Sequence, residues 1–178
     1  MKRFYTDKEY RQLIRNMVIL CDTRDKTNQH ILEEFDRQKI QYKQKSLKTG
    51  DYSFMIQACP DLGFAYDTFF TDELCIERKN GLSELAANLT QKTDDNRIFK
   101  ELNRMINIER VYLLIETSKM DDIFTHGYRS EYNPDSFIRT LLTWQSRNGM
   151  HIYFLEKNNM ARMIYELCKN CLDSKILK

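Results

Sequence analysis

The stretch that decides the fold is Leu74-Cys75-Ile76-Glu77-Arg78-Lys79, in which three apolar residues are followed by three charged ones. Its length and its apolar start are typical of a strand that enters the core. Alternate residues of a strand point to the same side, so Glu77 and Lys79 share one face, while Ile76 and Arg78 share the other. The sequence therefore predicts a carboxylate and an amine side by side at the end of a buried strand.

A second acid fits the same site. Asp51 opens a predicted strand directly after Gly50, with 25 residues between it and Glu77. Proteins bind Mg²⁺ through one or two carboxylates, and water and phosphate oxygens complete its coordination. A nearby lysine stabilises charge on a phosphate or lowers the pKa of the attacking water. Asp51, Glu77 and Lys79 thus fit metal-dependent phosphodiester cleavage, although the same residues on an exposed strand would also form ordinary ion pairs of little energetic weight.

The rest of the chain predicts a three-layer α/β domain, with a mixed sheet flanked by helices. Apolar runs and alternation predict strands at 17–21, 42–47, 51–56, 64–70, 74–79, 111–115 and 151–155. Helical spacing predicts helices at 6–16, 27–39, 82–89, 98–108, 134–147 and 160–172. Asp22 ends the first buried strand, where a loop would expose its carboxylate.

Composition indicates one domain and excludes several classes of protein. The 178 residues, 42% of them hydrophobic and 30% charged, suit a single domain over 1–178 with a short helical extension at about 1–16. No apolar run approaches the roughly 18 residues of a membrane span. The first residues also lack the apolar segment of a signal peptide. We therefore expect a cytoplasmic protein with no membrane partner.

The five cysteines argue against a disulfide scaffold. They are odd in number and scattered, and a chain of this size can form a hydrophobic core without disulfides. Cys168 and Cys171 form a single C-x-x-C pair within a predicted helix. We interpret them as buried thiols on a helical face. Zinc binding or redox chemistry is the alternative.

Five segments, in order and spacing, resemble the nuclease domain of XPF-type structure-specific nucleases. Residues 21–25 (CDTRD) resemble the family's VDxRE segment, residues 49–52 (TGDY) its GDY segment, and residues 76–79 (IERK) its ERK core. Residues 97–99 (RIF) resemble its GRLF helix segment, and residues 111–116 (VYLLIE) its next core strand. The likeness covers roughly residues 17–155 and is greatest to small stand-alone phage and prophage versions.

The resemblance implies a restriction-endonuclease-like, PD-(D/E)xK fold and a Mg²⁺- or Mn²⁺-dependent DNA endonuclease. Such an enzyme would cut branched, flap or junction DNA during replication, recombination or repair, in a bacterial or phage-infected host cell. The resemblance implies metal-binding acids at Asp22, Asp51 and Glu77, which are also catalytic, and a catalytic lysine at Lys79.

The resemblance also implies basic residues for DNA. Arg24 and Arg78 match two arginines that support the site or contact phosphate, and Arg97 matches a helix arginine that faces the DNA backbone. From its residue types alone, the loop at 126–130 is a further candidate, with Arg129 offering charge and Tyr128 a stacking face. The formal charge of +2 does not oppose DNA binding, because acids at a metal site cancel the basic residues around it.

The sequence departs from the family pattern at two positions. Ser83 stands where the ERKxxxD motif has Asp, and Asp25 replaces the usual Glu. A hydroxyl cannot balance metal charge, so we expect weaker metal binding or a changed metal preference. Glu84 would compensate only by reaching round the helix.

Several alternatives stay open. A non-catalytic DNA-binding or scaffolding partner and a sequence-specific restriction endonuclease would both use this fold. We expect no tandem helix-hairpin-helix module of the kind found in longer family members, so the nuclease domain, a partner or a homodimer would have to recognise the DNA. The basic run Lys39, Lys43, Lys45 and Lys48 indicates either a lysine-protected edge strand or phosphate contact.

Overall fold

A mixed β-sheet forms the centre of the protein. The computed structural model describes residues 4–90, 104–116 and 118–176. Their strands are β1 (Met17–Cys21), β2 (Tyr42–Gln44), β3 (Tyr52–Ile56), β4 (Thr68–Phe69), β5 (Leu74–Lys79), β6 (Arg110–Glu116) and β7 (His151–Leu155). Within this part of the chain the sheet has seven strands in the order β2-β1-β3-β5-β6-β7, and β4 pairs with β3. β1 and β2 are parallel, β5, β6 and β7 are parallel, and β3 runs antiparallel to β1 and β5.

Helices cover both faces of the sheet. They are α1 (Asp7–Arg15), α2 (Gln29–Gln38), α3 (Leu82–Thr90), α4 (Asp121–Phe124), α5 (Pro134–Asn148) and α6 (Met160–Ile176). One core cluster joins β1, β3 and β5 to α1, α2 and α6, and a second joins β5 and β6 to α3 and α5. The predicted three-layer α/β fold with a mixed sheet is therefore confirmed. None of the described helices is long and apolar enough to cross a membrane.

Two predicted strands are shorter in the structure and one helix was not predicted; the strand expected at 42–47 ends at Gln44. The strand expected at 64–70 is reduced to Thr68–Phe69, because the chain turns at Gly63 (φ 92°) and Phe64 forms only an isolated bridge with Cys59. The short helix α4 was not expected. Most of the helix predicted at 98–108 lies outside the described residues.

The interpretation of the C-x-x-C pair as buried thiols is confirmed, and the two alternatives for the basic run both stay open. β2 is an edge strand whose Lys43 is exposed, which suits a lysine-protected edge at that position. Cys168 and Cys171 are free thiols buried on α6, and burial raises the pKa of both. They are core residues of the cluster that joins α6 to the sheet.

Candidate active site

The ends of β1, β3 and β5 meet at one place, where backbone hydrogen bonds set the positions of two acids. The Asp22 N–H donates to the Asp51 carbonyl over 2.7 Å, and the Asp51 N–H donates to the Ile76 carbonyl over 2.9 Å. Asp51 therefore lies between the strand that ends at Asp22 and the strand that carries Glu77.

Gly50 allows this close approach of the strands. Its φ of +73° lies in the left-handed region that favours glycine. A Cβ at this position would collide with Cys75 Sγ and lie 3.1 Å from the Ile76 carbonyl oxygen. The Gly50-Asp51 pair can thus pack against β5 only because residue 50 has no side chain.

Asp51 is an acid in a partly dehydrated site. Its Oδ2 accepts a hydrogen bond from the Arg78 N–H over 2.8 Å. Burial, and after it the charge of Glu77, raises the pKa of Asp51 from 3.8 to about 8. The Arg78 N–H and the Lys79 charge oppose that rise without cancelling it. Asp51 therefore holds a proton at neutral pH unless another positive charge joins the site.

Glu77 and Lys79 form the ion pair that strand alternation predicts. Lys79 Nζ lies 2.6 Å from Glu77 Oε1, and the two side chains are only 10% and 13% exposed. Such a pair is partly shielded from water, unlike the exposed surface pair considered as the alternative. The amine is thus fixed beside the two acids.

Asp22 is held by Arg24. Its Oδ2 accepts from Arg24 Nε over 2.7 Å and also from Arg24 Nη2, while its Oδ1 accepts from the Arg24 N–H over 3.1 Å. Arg24 Nη2 also donates to the Leu47 carbonyl over 2.7 Å. The Asp22 side chain is 1% exposed, so the expectation that a loop would expose its carboxylate is wrong, because Arg24 covers it. The Arg24 side chain is 59% exposed, so the arginine forms one wall of the site and still faces solvent.

Arg78 lies inside the protein rather than on its surface. Its guanidinium bonds both oxygens of Asp25 at 3.0 and 3.2 Å and Glu116 Oε2 at 3.0 Å, and its side chain is 3% exposed. Burial acts to raise the pKa of Asp25, but the hydrogen bonds and charge of Arg78 outweigh it and leave that pKa below its ordinary value. Of the two roles expected for Arg78, this geometry favours support of the site over contact with phosphate.

Sequence reasoning missed two members of the Arg78 network. Glu116 is fully buried, and its Oε1 lies 2.5 Å from His30 Nε2. A signal was present, because Glu116 ends an apolar strand that pairs in parallel with β5, with Lys79 opposite Ile115. Adjacent parallel strands bring their carboxyl ends together, so a charged residue there is a candidate partner.

A cavity of about 370 Å³ opens between these groups. Six of its lining residues are predicted site residues: Asp22, Arg24, Asp51, Glu77, Arg78 and Lys79. Lys48, Glu84, Asn88 and Arg104 also line it and were not assigned to it from the sequence. One cavity therefore brings the predicted acids and the predicted lysine together.

Ser83 and Glu84 lie on different sides of α3. Glu84 lines the acid cavity, and its Oε2 accepts from the Asn80 N–H over 2.8 Å. The expectation that Glu84 would have to reach round the helix is wrong, because the start of α3 already points it toward the acids. Ser83 lines a separate cavity, and its Oγ accepts from the Arg129 N–H over 3.0 Å.

The carboxylates could hold a metal as a pair rather than as a ready-made cluster. Among the described residues, no group of three or more His, Cys, Asp or Glu side chains is close enough to hold an ion. Asp51 and Glu77 interact electrostatically in the cavity, while Asp22 is engaged by Arg24. Mg²⁺ is commonly held by one or two carboxylates with water and phosphate, so the pair fits such an ion.

The remaining candidates for DNA contact have different positions. Arg129 is exposed. Tyr128 is 7% exposed, its ring packs edge-on against Phe137, and its hydroxyl donates to the Tyr132 carbonyl. The interpretation of Tyr128 as a stacking face for a base is therefore wrong. Arg97 lies outside the described residues.

Comparison with known proteins identifies the family. Residues 21–167 match the model of the ERCC4 domain. No curated protein matches the sequence. The fold is similar to XPF from Aeropyrum pernix, with a TM-score of 0.62 and 19% identity over 90% of this chain and 68% of that one. It is also similar to the same protein in complex with DNA, with a TM-score of 0.61 and 18% identity over 89% of this chain and 65% of that one. The predicted resemblance to XPF-type nucleases and the restriction-endonuclease-like fold are thus confirmed, and the chain belongs to the ERCC4 domain family.

Proposed function

We propose that this protein is a metal-dependent DNA endonuclease that hydrolyses phosphodiester bonds in branched, flap or junction DNA. The observation that carries the proposal is the meeting of Asp51, Glu77 and Lys79 in one cavity, with the amine 2.6 Å from the Glu77 carboxylate. Burial raises the pKa of Asp51, and repulsion by the neighbouring Glu77 carboxylate raises it further. A divalent cation bound between the two carboxylates would offset their repulsion.

In this proposal Asp51 and Glu77 hold Mg²⁺ or Mn²⁺, with Asp22 as a third acid. The bound ion would polarise the phosphate and lower the pKa of the attacking water. Lys79 stabilises the charge that develops on the phosphate oxygens, and Glu77 keeps the ammonium group in position through their ion pair.

The arginines divide into two groups in the proposal. Arg24 and Arg129 are exposed and would contact DNA phosphates, and Arg97, which lies outside the described residues, is proposed for the same role. Arg78 positions the site instead, since its N–H binds Asp51 while its guanidinium is held by Asp25 and Glu116. DNA as the partner is supported by the likeness to a structure of XPF in complex with DNA. A role in replication, recombination or repair would follow from cleavage of branched DNA.

A cleavage panel tests the proposal. Labelled blunt duplex, flap, fork and four-way junction DNA are incubated with the protein in Mg²⁺, Mn²⁺ or EDTA. We expect metal-dependent cleavage of the branched substrates, and loss of cleavage in Asp51→Asn and Lys79→Ala with unchanged circular dichroism. Lys8→Ala, at an exposed position on α1, is the matched control and should cleave like the wild type.

Three outcomes would contradict the proposal. Full cleavage activity of Asp51→Asn or of Lys79→Ala would contradict the proposed mechanism. Tight binding of branched DNA without any cleavage would favour a non-catalytic scaffolding partner. Cleavage of duplex at one sequence only would favour a restriction endonuclease.

A further inference from the structure

A second cavity adjoins the acid cavity. It has a volume of about 920 Å³, and Lys48, Thr49 and Arg104 line both cavities. Residues 45–49 form one side of it, and Phe69 of β4 contributes to its surface. We call this second cavity the Phe69 groove. Because the two cavities share these lining residues, an extended ligand in the Phe69 groove would continue directly toward Asp51 and Glu77.

Phe69 is an exposed aromatic side chain placed there by strand alternation. Its neighbour Phe70 is 7% exposed and stacks on Phe54 in the core, with ring centroids 4.5 Å apart. Phe69 points the other way and is 43% exposed. Burying Phe70 thus leaves the Phe69 ring partly exposed, where it lines the groove.

Positive charge surrounds this ring. Lys45 Nζ lies 5.1 Å from the centroid of Phe69. Lys48 and Arg104 continue the charge toward the acid cavity, and Asp72 is the acid that lines the Phe69 groove. An exposed lysine–ring contact is worth at most about 1 kcal/mol, so a ligand can displace or share it.

An aromatic ring flanked by basic side chains is what unpaired nucleotides require. Bases stack on aromatic rings whatever their sequence, while the adjacent phosphates bind lysine and arginine. A base in a duplex is already stacked between its neighbours and offers no free face. The groove chemistry therefore selects single-stranded over double-stranded DNA.

We propose that the Phe69 groove binds an unpaired, single-stranded segment of the DNA substrate, with one base stacked on Phe69 and its phosphates on Lys45, Lys48 and Arg104. The inference rests on the proposed nuclease function and assigns to named residues a binding site for one strand of its substrate.

A new tryptophan tests the stacking directly. The chain has a single tryptophan, Trp144, which is 4% exposed and serves as a constant background. In Phe69→Trp, titration with a ten-nucleotide oligothymidylate in EDTA should quench the new emission. Phe4→Trp is the matched control, since Phe4 is 91% exposed and lines neither cavity; its emission should not change.

Binding of the same oligonucleotide, followed by fluorescence anisotropy, measures the effect on affinity. We expect Phe69→Ala to bind about ten-fold more weakly and Phe69→Tyr to bind like the wild type, because the tyrosine ring can stack as phenylalanine does. Lys45→Ala should weaken binding and reduce its dependence on salt.

The following results would overturn the proposal: no quenching in Phe69→Trp at saturating oligonucleotide, equal quenching by blunt duplex, or unchanged affinity in Phe69→Ala. All measurements are made in EDTA, without cleavage. Failure of the groove proposal therefore leaves metal-dependent cleavage by the wild type as a separate result, and failure of cleavage leaves the stacking result intact.

Discussion

Asp51→Asn should make the metal-free protein more stable while it abolishes cleavage. Folding raises the pKa of Asp51 from 3.8 to about 8, so between these values the folded protein binds a proton that the unfolded chain has released. Stability therefore falls as the pH rises through this window, and the loss is complete above about pH 8. Asparagine has no charge to lose, and its amide oxygen can accept the same hydrogen bond from the Arg78 N–H.

The size of the effect follows from the pKa. One pKa unit corresponds to about 1.4 kcal/mol, so a rise from 3.8 to about 8 sets an upper limit of about 6 kcal/mol. Asp51 retains some exposure to water, which screens its charge. We therefore expect Asp51→Asn to gain about 2 kcal/mol at pH 8, with no gain at pH 4.

Urea unfolding in EDTA, followed by Trp144 fluorescence at pH 4, 6 and 8, measures this gain. Asp121→Asn is the matched control, because Asp121 is exposed and should change stability by less than about 0.5 kcal/mol at each pH. Addition of Mg²⁺ should reverse the order, since only the wild type gains binding energy from the ion. A variant that is no more stable than the wild type at pH 8, or a gain that does not vary with pH, would refute the reasoning.

Three further predictions concern the surroundings of the site. Gly50→Ala should destabilise the protein by about 2 kcal/mol or more in urea unfolding, because the new Cβ meets Cys75 Sγ at a positive φ; a change below about 0.5 kcal/mol would contradict this. Arg78→Met should lower the free energy of unfolding by about 3–5 kcal/mol, since it leaves Asp25 and Glu116 buried without their shared cation; a loss under about 1 kcal/mol would show that the network is not stabilising. Glu84→Gln should raise the Mg²⁺ concentration needed for half-maximal cleavage, whereas Ser83→Asp should leave it unchanged because Ser83 faces another cavity; the opposite ranking would restore Ser83 as the position that matters.

The central strands could be predicted because their sequences are unambiguous. Met17–Cys21 is an apolar run followed directly by Asp22, and Leu74–Lys79 begins with apolar residues and ends in charged ones, so the burial of both strands and the acids at their ends could be read directly. Alternation then placed Glu77 and Lys79 on one face. The strand expected at 64–70 failed because Gly63 and the turn before it set the backbone direction, which the alternating pattern after them does not reveal.

The contact between His30 and Glu116 could not be predicted. His30 and Glu116 are 86 positions apart, and nothing local to either one indicates the other. Glu84 was misplaced for a related reason. The helix α3 was expected at the right position, but which of its sides faces the acids depends on how the helix packs on β5, and a sequence pattern does not specify that packing.

Strand β5 leaves this protein almost no tolerance for insertions or deletions near its end. The side chains of Glu77 and Lys79 line the cavity, whereas the guanidinium of Arg78 binds Asp25 and Glu116 in the buried ion network. The side chains on both faces of the strand end therefore have fixed partners. One residue gained or lost before Glu77 would present an arginine to the cavity and bury a glutamate and a lysine against Asp25 and Glu116. Length changes should therefore accumulate in the turn at 57–67 and in the loop at 125–133, and the spacing inside β5 should stay fixed even where its apolar residues vary.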